Sequence, residues 1–240
     1  GHSRMPVFAD NLDDPKGSVF GGFAACLKTE SKRIDEIYIL GDLVEMWIGD
    51  DDDSPIAIAL SKLLQATAKH CPIFLMHGNR DFLFASEFAS KTGVTLINDP
   101  STLDDSILLS HGDALCTDDN EYQEMRKILR GEAWQSETLS KSLAERQVFG
   151  KGLRAASIAN NANKASAIMD VNSTAVTALV GKHIKTFIHG HTHRPGVHQV
   201  EQRVSDRIVL GDWGPCGWLC RQIDDNFTLE CFNLAHRYET

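Results

Sequence analysis

The 240-residue sequence has no apolar run long enough to cross a bilayer as a helix. It also lacks an apolar segment near its beginning, and we expect residues 1–4 to be a cloning remnant ahead of a native start at Met5. Its six cysteines form no Cys-x-x-Cys pair, which favours reduced thiols over a disulfide framework or a zinc ribbon. Without repeats or low-complexity tracts, the chain suits a single globular domain spanning 1–240, with room for an insertion.

Positive charge is also scarce, with 24 Lys and Arg against 33 Asp and Glu and a net charge of −9. This negative net charge argues against a protein that binds nucleic acid over a broad surface. The stretch from Leu139 to Lys164 departs from it, with a single acid, Glu145, and five cations: Lys141, Arg146, Lys151, Arg154 and Lys164. The pattern fits either a solvated helix face or a cap for an anionic ligand or membrane surface.

Short apolar runs predict buried strands at Pro6–Ala9, Ile37–Leu40, Ile73–Met76, Ile107–Leu109, Thr186–Ile188 and Ile208–Leu210. Between the first four lie helical patterns at Phe20–Lys32, Ile56–His70 and Phe82–Thr92. This alternation predicts an α/β fold, and the end of the chain, from Arg207 to Leu234, is β-rich. In residues 118–164 apolar and charged residues interleave, which predicts two or three amphipathic helices inserted between strands.

Four motifs follow predicted strands: Gly41-Asp42, Gly78-Asn79-Arg80-Asp81, His111-Gly112-Asp113, and His189-Gly190-His191-Thr192-His193. Residues just beyond strand ends converge on one crevice in α/β sheets. A mixed set of carboxylate, amide and imidazole groups suits manganese, iron or zinc better than calcium. Singly, Asp42 would be a cap and Asn79 a turn residue, but the four strand ends together predict a metal site.

Three histidines within five positions, at 189, 191 and 193, point to the same side if the segment is extended. Asp42 is the candidate to bridge two divalent ions, which bind a phosphoryl group and activate a water molecule. Arg80 is the candidate to neutralise charge on the phosphoryl oxygens. His189 would orient a ligand or handle a proton.

The motif order resembles that of the calcineurin-like metallophosphoesterases. Further strings narrow the resemblance: ILGDLVEMWIGDDD at Ile39–Asp52, HGNRDF at His77–Phe82, HGDALCTDD at His111–Asp119 with Tyr122, IMDV at Ile168–Val171, HGHTHRP at His189–Pro195 and VLGDW at Val209–Trp213. They are similar to those of the UDP-2,3-diacylglucosamine diphosphatases of lipid A biosynthesis, over nearly the whole chain. The resemblance implies an α/β fold, a calcineurin-like metallophosphoesterase β-sandwich flanked by helices, with a helical lid insertion at 118–164.

It further implies an Mn²⁺-dependent enzyme with two ions, peripheral on the cytoplasmic face of the bacterial inner membrane. Metal-bound hydroxide would attack the α-phosphorus of UDP-2,3-diacylglucosamine, giving UMP and 2,3-diacylglucosamine 1-phosphate. By position, the family's metal ligands match Asp42, Asn79, His111, His191 and His193. Its substrate contacts match Asn79, Arg80, Asp119, Ser157, Asn161, Lys164 and His191, of which Asn79, Arg80 and His191 are the catalytic candidates. No nucleic acid or protein partner is implied.

One departure from the family pattern concerns the metal site. The family has Asp-x-His directly after the first strand, whereas this sequence reads Ala9-Asp10-Asn11-Leu12. If Asp10 is the matching aspartate and metal ligand, Leu12 replaces the histidine; without a gap, Ala9 and Asn11 occupy the two positions. Either alignment weakens one metal site. Two alternatives therefore stay open: a metallophosphoesterase of another substrate, and a catalytically impaired protein that binds a lipid nucleotide.

Overall fold

A computed structural model describes residues 2–8, 12–14, 16–162, 164, 168–203 and 205–234, with only the backbone described at 161 and 162. The strands are β1 Ser3–Val7, β2 Glu36–Ile39, β3 Ile73–Met76, β4 Thr95–Ile97, β5 Ser101–Leu103, β6 Ile107–Ser110, β7 Thr186–His189, β8 Gly196–Gln199, β9 Asp206–Val209, β10 Cys216–Ile223 and β11 Asn226–Asn233. The helices are α1 Ser18–Glu30, α2 Pro55–Ala68, α3 Ser86–Thr92, α4 Asn120–Leu129, α5 Glu132–Leu139, α6 Leu143–Ala162 and α7 Ser173–Leu179.

Within the described residues, the strands form two sheets, with the orders β11-β10-β1-β2-β3-β4 and β5-β6-β7-β9-β8. Strands β1 to β4 run parallel, as do β6, β7 and β9. Parallel neighbours end at the same edge of their sheet, so the segments that follow them lie close together.

The two sheets pack face to face because each central strand alternates its side chains between two apolar layers. Leu109 and Ile188 point into the layer between the sheets, with Leu40 from β2's end, whereas Leu108 and Phe187 point outward onto α7. The outward side chains of the first sheet pack against α1, α2 and α3. The predicted β-sandwich flanked by helices is confirmed.

The first strand begins earlier than the sequence indicated, at Ser3. Arg4 is buried, pairs in register with Glu36 and donates from Nε to the Glu36 carboxylate at 2.8 Å. Ser3 and Arg4 are therefore part of the folded sheet.

The third predicted helix also begins later than expected, at Ser86 rather than Phe82. The Asp50 carboxylate accepts the backbone N–H groups of Ala85 and Phe88, which fixes the start of α3. Three short strands that the sequence did not predict are β4, β5 and β8.

The segment that follows β6 contains α4, α5 and α6, and after α7 the chain returns to the second sheet at β7. Three of its cations point inward to acids: Arg146 pairs with Asp51, Arg154 with Glu45 and Lys164 with Asp119. Two of these ion pairs, Arg146–Asp51 and Arg154–Glu45, join the segment to the rest of the protein, whereas Lys164–Asp119 lies within it. In the described residues, no helix has the length and apolar character needed to cross a membrane.

Arg146 anchors α6 most firmly. Its guanidinium is buried, and it donates to the Ile48 carbonyl as well as to Asp51. We expect Arg146→Met to lower the free energy of unfolding by about 1–3 kcal/mol, since it leaves a buried carbonyl oxygen without its donor. Lys151→Met, at an exposed position of the same helix, is the control and should change stability by less than about 0.5 kcal/mol. Equal melting temperatures for both variants in thermal unfolding would contradict the anchoring role.

Candidate active site

Polar side chains from four strand ends meet at one edge of the sandwich. Asp42 follows β2, Asn79 follows β3, His111 follows β6 and His191 follows β7. Ligand atoms of Asp42, His111 and His191 all lie within 4.8 Å of one another. Asn79 Oδ1 lies 3.0 Å from His111 Nε2, which places the amide in the same cluster. The structure thus brings together four of the predicted metal ligands.

The loops that hold this cluster approach each other too closely for side chains at two glycines. A Cβ at Gly78 would lie 2.8 Å from Asp42 Cγ, and one at Gly41 would lie 2.5 Å from Gly78 Cα. Asp42 itself has a left-handed φ of 59°, which is uncommon for a residue other than glycine. Such backbone strain concentrates at functional sites, where the surrounding structure enforces it.

Asp81, the last residue of the Gly-Asn-Arg-Asp motif, ties the two loops together. Its buried carboxylate accepts the backbone N–H groups of Leu43 at 2.8 Å and Gly78 at 2.7 Å. Burial, followed by the nearby Asp42 carboxylate, raises the pKa of Asp81 to about 6. Asp81 therefore holds the loops that present Asp42 and Asn79.

His111 has one ring nitrogen committed to the protein and one directed into the cluster. Nδ1 lies 2.7 Å from the Leu40 carbonyl oxygen, which only accepts, so Nδ1 carries the hydrogen. Nε2 then presents a lone pair 3.0 Å from Asn79 Oδ1 and 3.7 Å from an Asp42 oxygen. Nε2 also accepts the backbone N–H of Asn79 at 3.3 Å, which holds the Asn79 loop against His111. Burial lowers the pKa of His111, but the Asp42 and other carboxylates outweigh it, and the net shift is upward.

His191 lies beside His111, with the two ring centroids 5.0 Å apart. Burial first, and the neighbouring His111 second, lower the pKa of His191 to about 4, so its ring is neutral at pH 7. Neutral imidazole is the form that binds metal ions. The donor set therefore fits a divalent cation: a carboxylate, an amide oxygen and imidazole nitrogens, with the His111 ring oriented by a backbone carbonyl.

The geometry of the His-x-His segment differs from the extended form assumed from its spacing. His191 and His193 have left-handed φ values of 65° and 53°, so the alternation of an extended strand does not apply. The His193 ring packs on Phe8 at 5.4 Å, with Nδ1 3.6 Å from an Asp212 oxygen. Among the described residues, His193 is not part of the cluster of Asp42, His111 and His191.

His189 does not serve the proposed proton-handling role, because both ring nitrogens are engaged. Nδ1 lies 2.9 Å from the Gly190 carbonyl oxygen and Nε2 accepts from Arg207 at 3.0 Å. Burial lowers the pKa of His189 to about 3, which keeps the ring neutral. It is a buried structural residue at the end of β7.

The segment after β1 is described only at its edges. Phe8 contacts the rings of His111 and His193, so β1 ends beside the cluster. Leu12 is fully buried in the apolar layer under the helices, and its side chain supplies no metal ligand. The predicted ligand Asp10, together with Ala9 and Asn11, lies outside the described residues.

A cavity of about 430 Å³ lies between the active-site loops and the helices α4 to α6. The predicted substrate residues Asn79, Arg80, Ser157 and Lys164 line it. Asp119 holds the Lys164 side chain in the lining, because its two carboxylate oxygens each accept a 2.7 Å hydrogen bond from the Lys164 amino group. The side chain of Asn161 lies outside the described residues, and the neighbouring Asn160 is in the lining.

Two further acids at this site were not singled out from the sequence. Asp113 is buried next to the cluster, where it accepts from the Tyr122 hydroxyl at 2.7 Å and the Arg126 guanidinium at 2.8 Å. Burial raises the pKa of Asp113, but the nearby His111 and Arg126 lower it, and the net shift of the pKa is downward. The carboxyl group therefore stays ionised. Glu45, three residues after Asp42, lines the cavity and binds Arg80. Both acids lie within strings that resemble the family, ILGDLVEMWIGDDD for Glu45 and HGDALCTDD for Asp113, but the strings do not show which residues the two acids bind.

Two curated relatives illustrate the similarity of this chain to known proteins. The UDP-2,3-diacylglucosamine hydrolase of Chromohalobacter salexigens is 42% identical over 85% of this chain and 86% of its own length. The protein of the same name from Salmonella arizonae is 39% identical over 93% of this chain and 96% of its own length. No protein-family model matches. Among solved structures, a nuclease from Pseudomonas putida is 17% identical over 46% of this chain and 54% of that one, with a TM-score of 0.36.

The sandwich and its strand-end cluster of carboxylate, amide and imidazoles define a metallophosphoesterase, and the protein is an enzyme. Within that class, the chain belongs to the family of the UDP-2,3-diacylglucosamine hydrolases.

Proposed function

We propose that this protein hydrolyses the pyrophosphate of UDP-2,3-diacylglucosamine at the α-phosphorus, releasing UMP and 2,3-diacylglucosamine 1-phosphate. The observation that supports this most directly is the continuity between the metal-ligand cluster and the cavity. Asn79 is within hydrogen-bonding distance of His111 and also lines the cavity. A substrate seated in the cavity therefore meets the cluster at its phosphate end.

The residues proposed to hold two Mn²⁺ ions are Asp10, Asp42, Asn79, His111, His191 and His193. Divalent ions bound there would supply positive charge for the phosphoryl oxygens and an activated water molecule. The protein keeps the His191 ring neutral and His111 Nε2 directed inward, so both offer a lone pair.

Arg80 is proposed to neutralise charge on the phosphoryl group. Its backbone N–H donates to Asp42 Oδ1 at 2.9 Å, and its side chain is largely buried in the cavity wall. In this partly dry position a guanidinium stabilises developing negative charge more strongly than it would in water. Lys164 and Ser157, from the other wall, are proposed to bind the rest of the polar head.

Much of the cavity lining is apolar and suits acyl chains. Its aromatic and aliphatic side chains include Trp47, Phe82, Leu83, Met125, Trp134 and Phe149. Burying a methylene group contributes about 0.8 kcal/mol, so fatty chains there add affinity that a soluble nucleotide sugar lacks. Helices α4 to α6 are thus proposed to act as a lid over the lipid.

We further propose that the protein associates with the cytoplasmic face of the inner membrane through these helices. Most of the exposed large apolar side chains among the described residues lie there: Met125, Ile128, Leu139, Val148, Phe149 and Ile158. Exposed apolar surface on amphipathic helices inserts into the headgroup boundary of a bilayer. The substrate's chains would pass from the bilayer into the cavity beside the same helices.

The test is UMP release from UDP-2,3-diacylglucosamine in the presence of Mn²⁺. Wild-type protein is expected to release UMP, and His191→Ala is expected to lose at least about 100-fold in rate. His70→Ala, at an exposed position after α2, is the matched control and should retain full activity. Equal release from His191→Ala and wild type would show that another site performs the reaction.

A further inference from the structure

The loop after Asp42 carries Glu45, whose carboxylate contacts two arginines from different parts of the fold. One oxygen accepts from Arg80 at 2.9 Å, and the other pairs with Arg154 of α6. The backbone N–H of Glu45 donates to Asp13 Oδ1 at 2.9 Å, which fixes the loop from a third side. Glu45 therefore joins the metal-ligand cluster to the helix that covers the cavity.

Arg80 is held from two directions. Its Nε lies 3.6 Å from Asp42 Oδ2, while a terminal nitrogen binds Glu45. An arginine side chain has many rotamers, and fixing one before the substrate arrives removes that entropy cost from the reaction. The Glu45 carboxylate binds the end of the Arg80 guanidinium and so selects one rotamer of the Arg80 side chain.

A carboxylate in a cavity that receives an anionic substrate opposes binding by repulsion. Its position is accounted for if the orientation that it imposes on Arg80 and Arg154 outweighs this cost. Both guanidiniums line the cavity together with Asn79. Because Glu45 contacts both arginines, a movement of Arg154 on α6 would also change the position of Arg80 beside Asp42.

We propose that Glu45 is a positioning residue, which holds Arg80 toward the phosphoryl site and couples it to Arg154 on the lid. The inference rests on the proposed function, in which Arg80 contacts the phosphoryl group. Because Arg80 acts on charge that develops during the reaction, loss of its orientation lowers kcat rather than raising KM. Arg154 acts on the reaction through Glu45.

The experiment is a set of double-mutant cycles read as kcat and KM with UDP-2,3-diacylglucosamine and Mn²⁺. Glu45→Gln, nearly isosteric, is expected to lower kcat about 10-fold and to change KM less than about 2-fold. In an Arg80→Ala background the same substitution should lower kcat less than about 2-fold, because its target is gone. Arg154→Gln should likewise lower kcat in wild type and have little effect in Glu45→Gln.

Glu124→Gln is the matched control for charge, since this exposed glutamate of α4 pairs with Lys127 and lies outside the cavity lining. A kcat loss in Glu124→Gln equal to that in Glu45→Gln would overturn the proposal. So would an undiminished effect of Glu45→Gln in the Arg80→Ala background, or a rise of kcat/KM in Glu45→Gln. Melting temperatures of all variants, compared with wild type, separate these outcomes from unfolding.

Failure of the proposed function is recognised separately. If wild-type protein with Mn²⁺ releases no UMP, the substrate assignment is wrong, and the cycles are then run with bis(p-nitrophenyl) phosphate, a general phosphodiester. Additive effects of Glu45 and Arg80 substitutions on that substrate would overturn the positioning role on its own. Non-additive effects would support it independently of the natural substrate.

Discussion

Asp42→Asn is expected to lower the turnover of UDP-2,3-diacylglucosamine by about 100-fold to 1000-fold. The substitution preserves the shape of the side chain and the oxygen that accepts from the Arg80 backbone. It removes the negative charge that lies between His111 and Arg80, 3.7 Å and 3.6 Å from their nearest nitrogens. Without that charge, the cluster holds a divalent cation by neutral ligands alone.

Steady-state kinetics at saturating Mn²⁺ measures this loss. The control is Asp105→Asn, at an exposed turn position with a φ of 56° that asparagine tolerates well. The control should match wild type in kcat and KM. Turnover in Asp42→Asn within a few-fold of wild type would show that Asp42 holds no ion needed for catalysis.

Gly78→Ala is expected to abolish most activity, by about 100-fold or more, although the change is a single methyl group outside the ligand set. The added Cβ would lie 2.8 Å from Asp42 Cγ and would clash with the carboxylate oxygen and backbone nitrogen of Asp42. The loop must move, and it would carry Asn79 away from His111. A displacement of about 1 Å at a reacting centre is enough for losses of this size.

Gly21→Ala is the matched control for Gly78→Ala. Gly21 is an exposed position of α1 where a Cβ meets no atom within 4 Å. This variant should keep full activity and gain about 0.5–1 kcal/mol in stability, since alanine favours the helix. Wild-type kcat in Gly78→Ala would mean that the two loops do not pack as closely as the structure has them.

Much of the sandwich was predictable because its central strands are short apolar runs that end at glycine or histidine. Ile73–Met76 was predicted at its observed bounds. The three-residue strands β4 and β5 were missed because so short a run has no recognisable period. Helix α3 begins four residues later than its apolar pattern, since the start depends on Asp50, 36 positions from Ser86.

The sequence predicted that four side chains would meet, because each comes just after a predicted strand: Asp42, Asn79, His111 and His191. It did not predict their detailed geometry. The left-handed backbone at His191 and His193 depends on how close the loops pass, which spacing does not reveal. The ion pairs of the cationic stretch were not predictable for a similar reason. Arg154 finds Glu45, more than a hundred positions away, only once the chain has folded.

Manganese binding to the folded protein measures directly whether the strand-end cluster holds metal ions. Equilibrium dialysis with elemental analysis, at increasing free Mn²⁺, gives ions bound per chain for wild type, Asp42→Asn and Asp105→Asn. We expect wild type and Asp105→Asn to approach about two ions per chain at saturation, the second more weakly, and Asp42→Asn to lose most of this binding. Wild-type protein that binds no Mn²⁺, or Asp42→Asn that binds as much as wild type, would contradict this expectation.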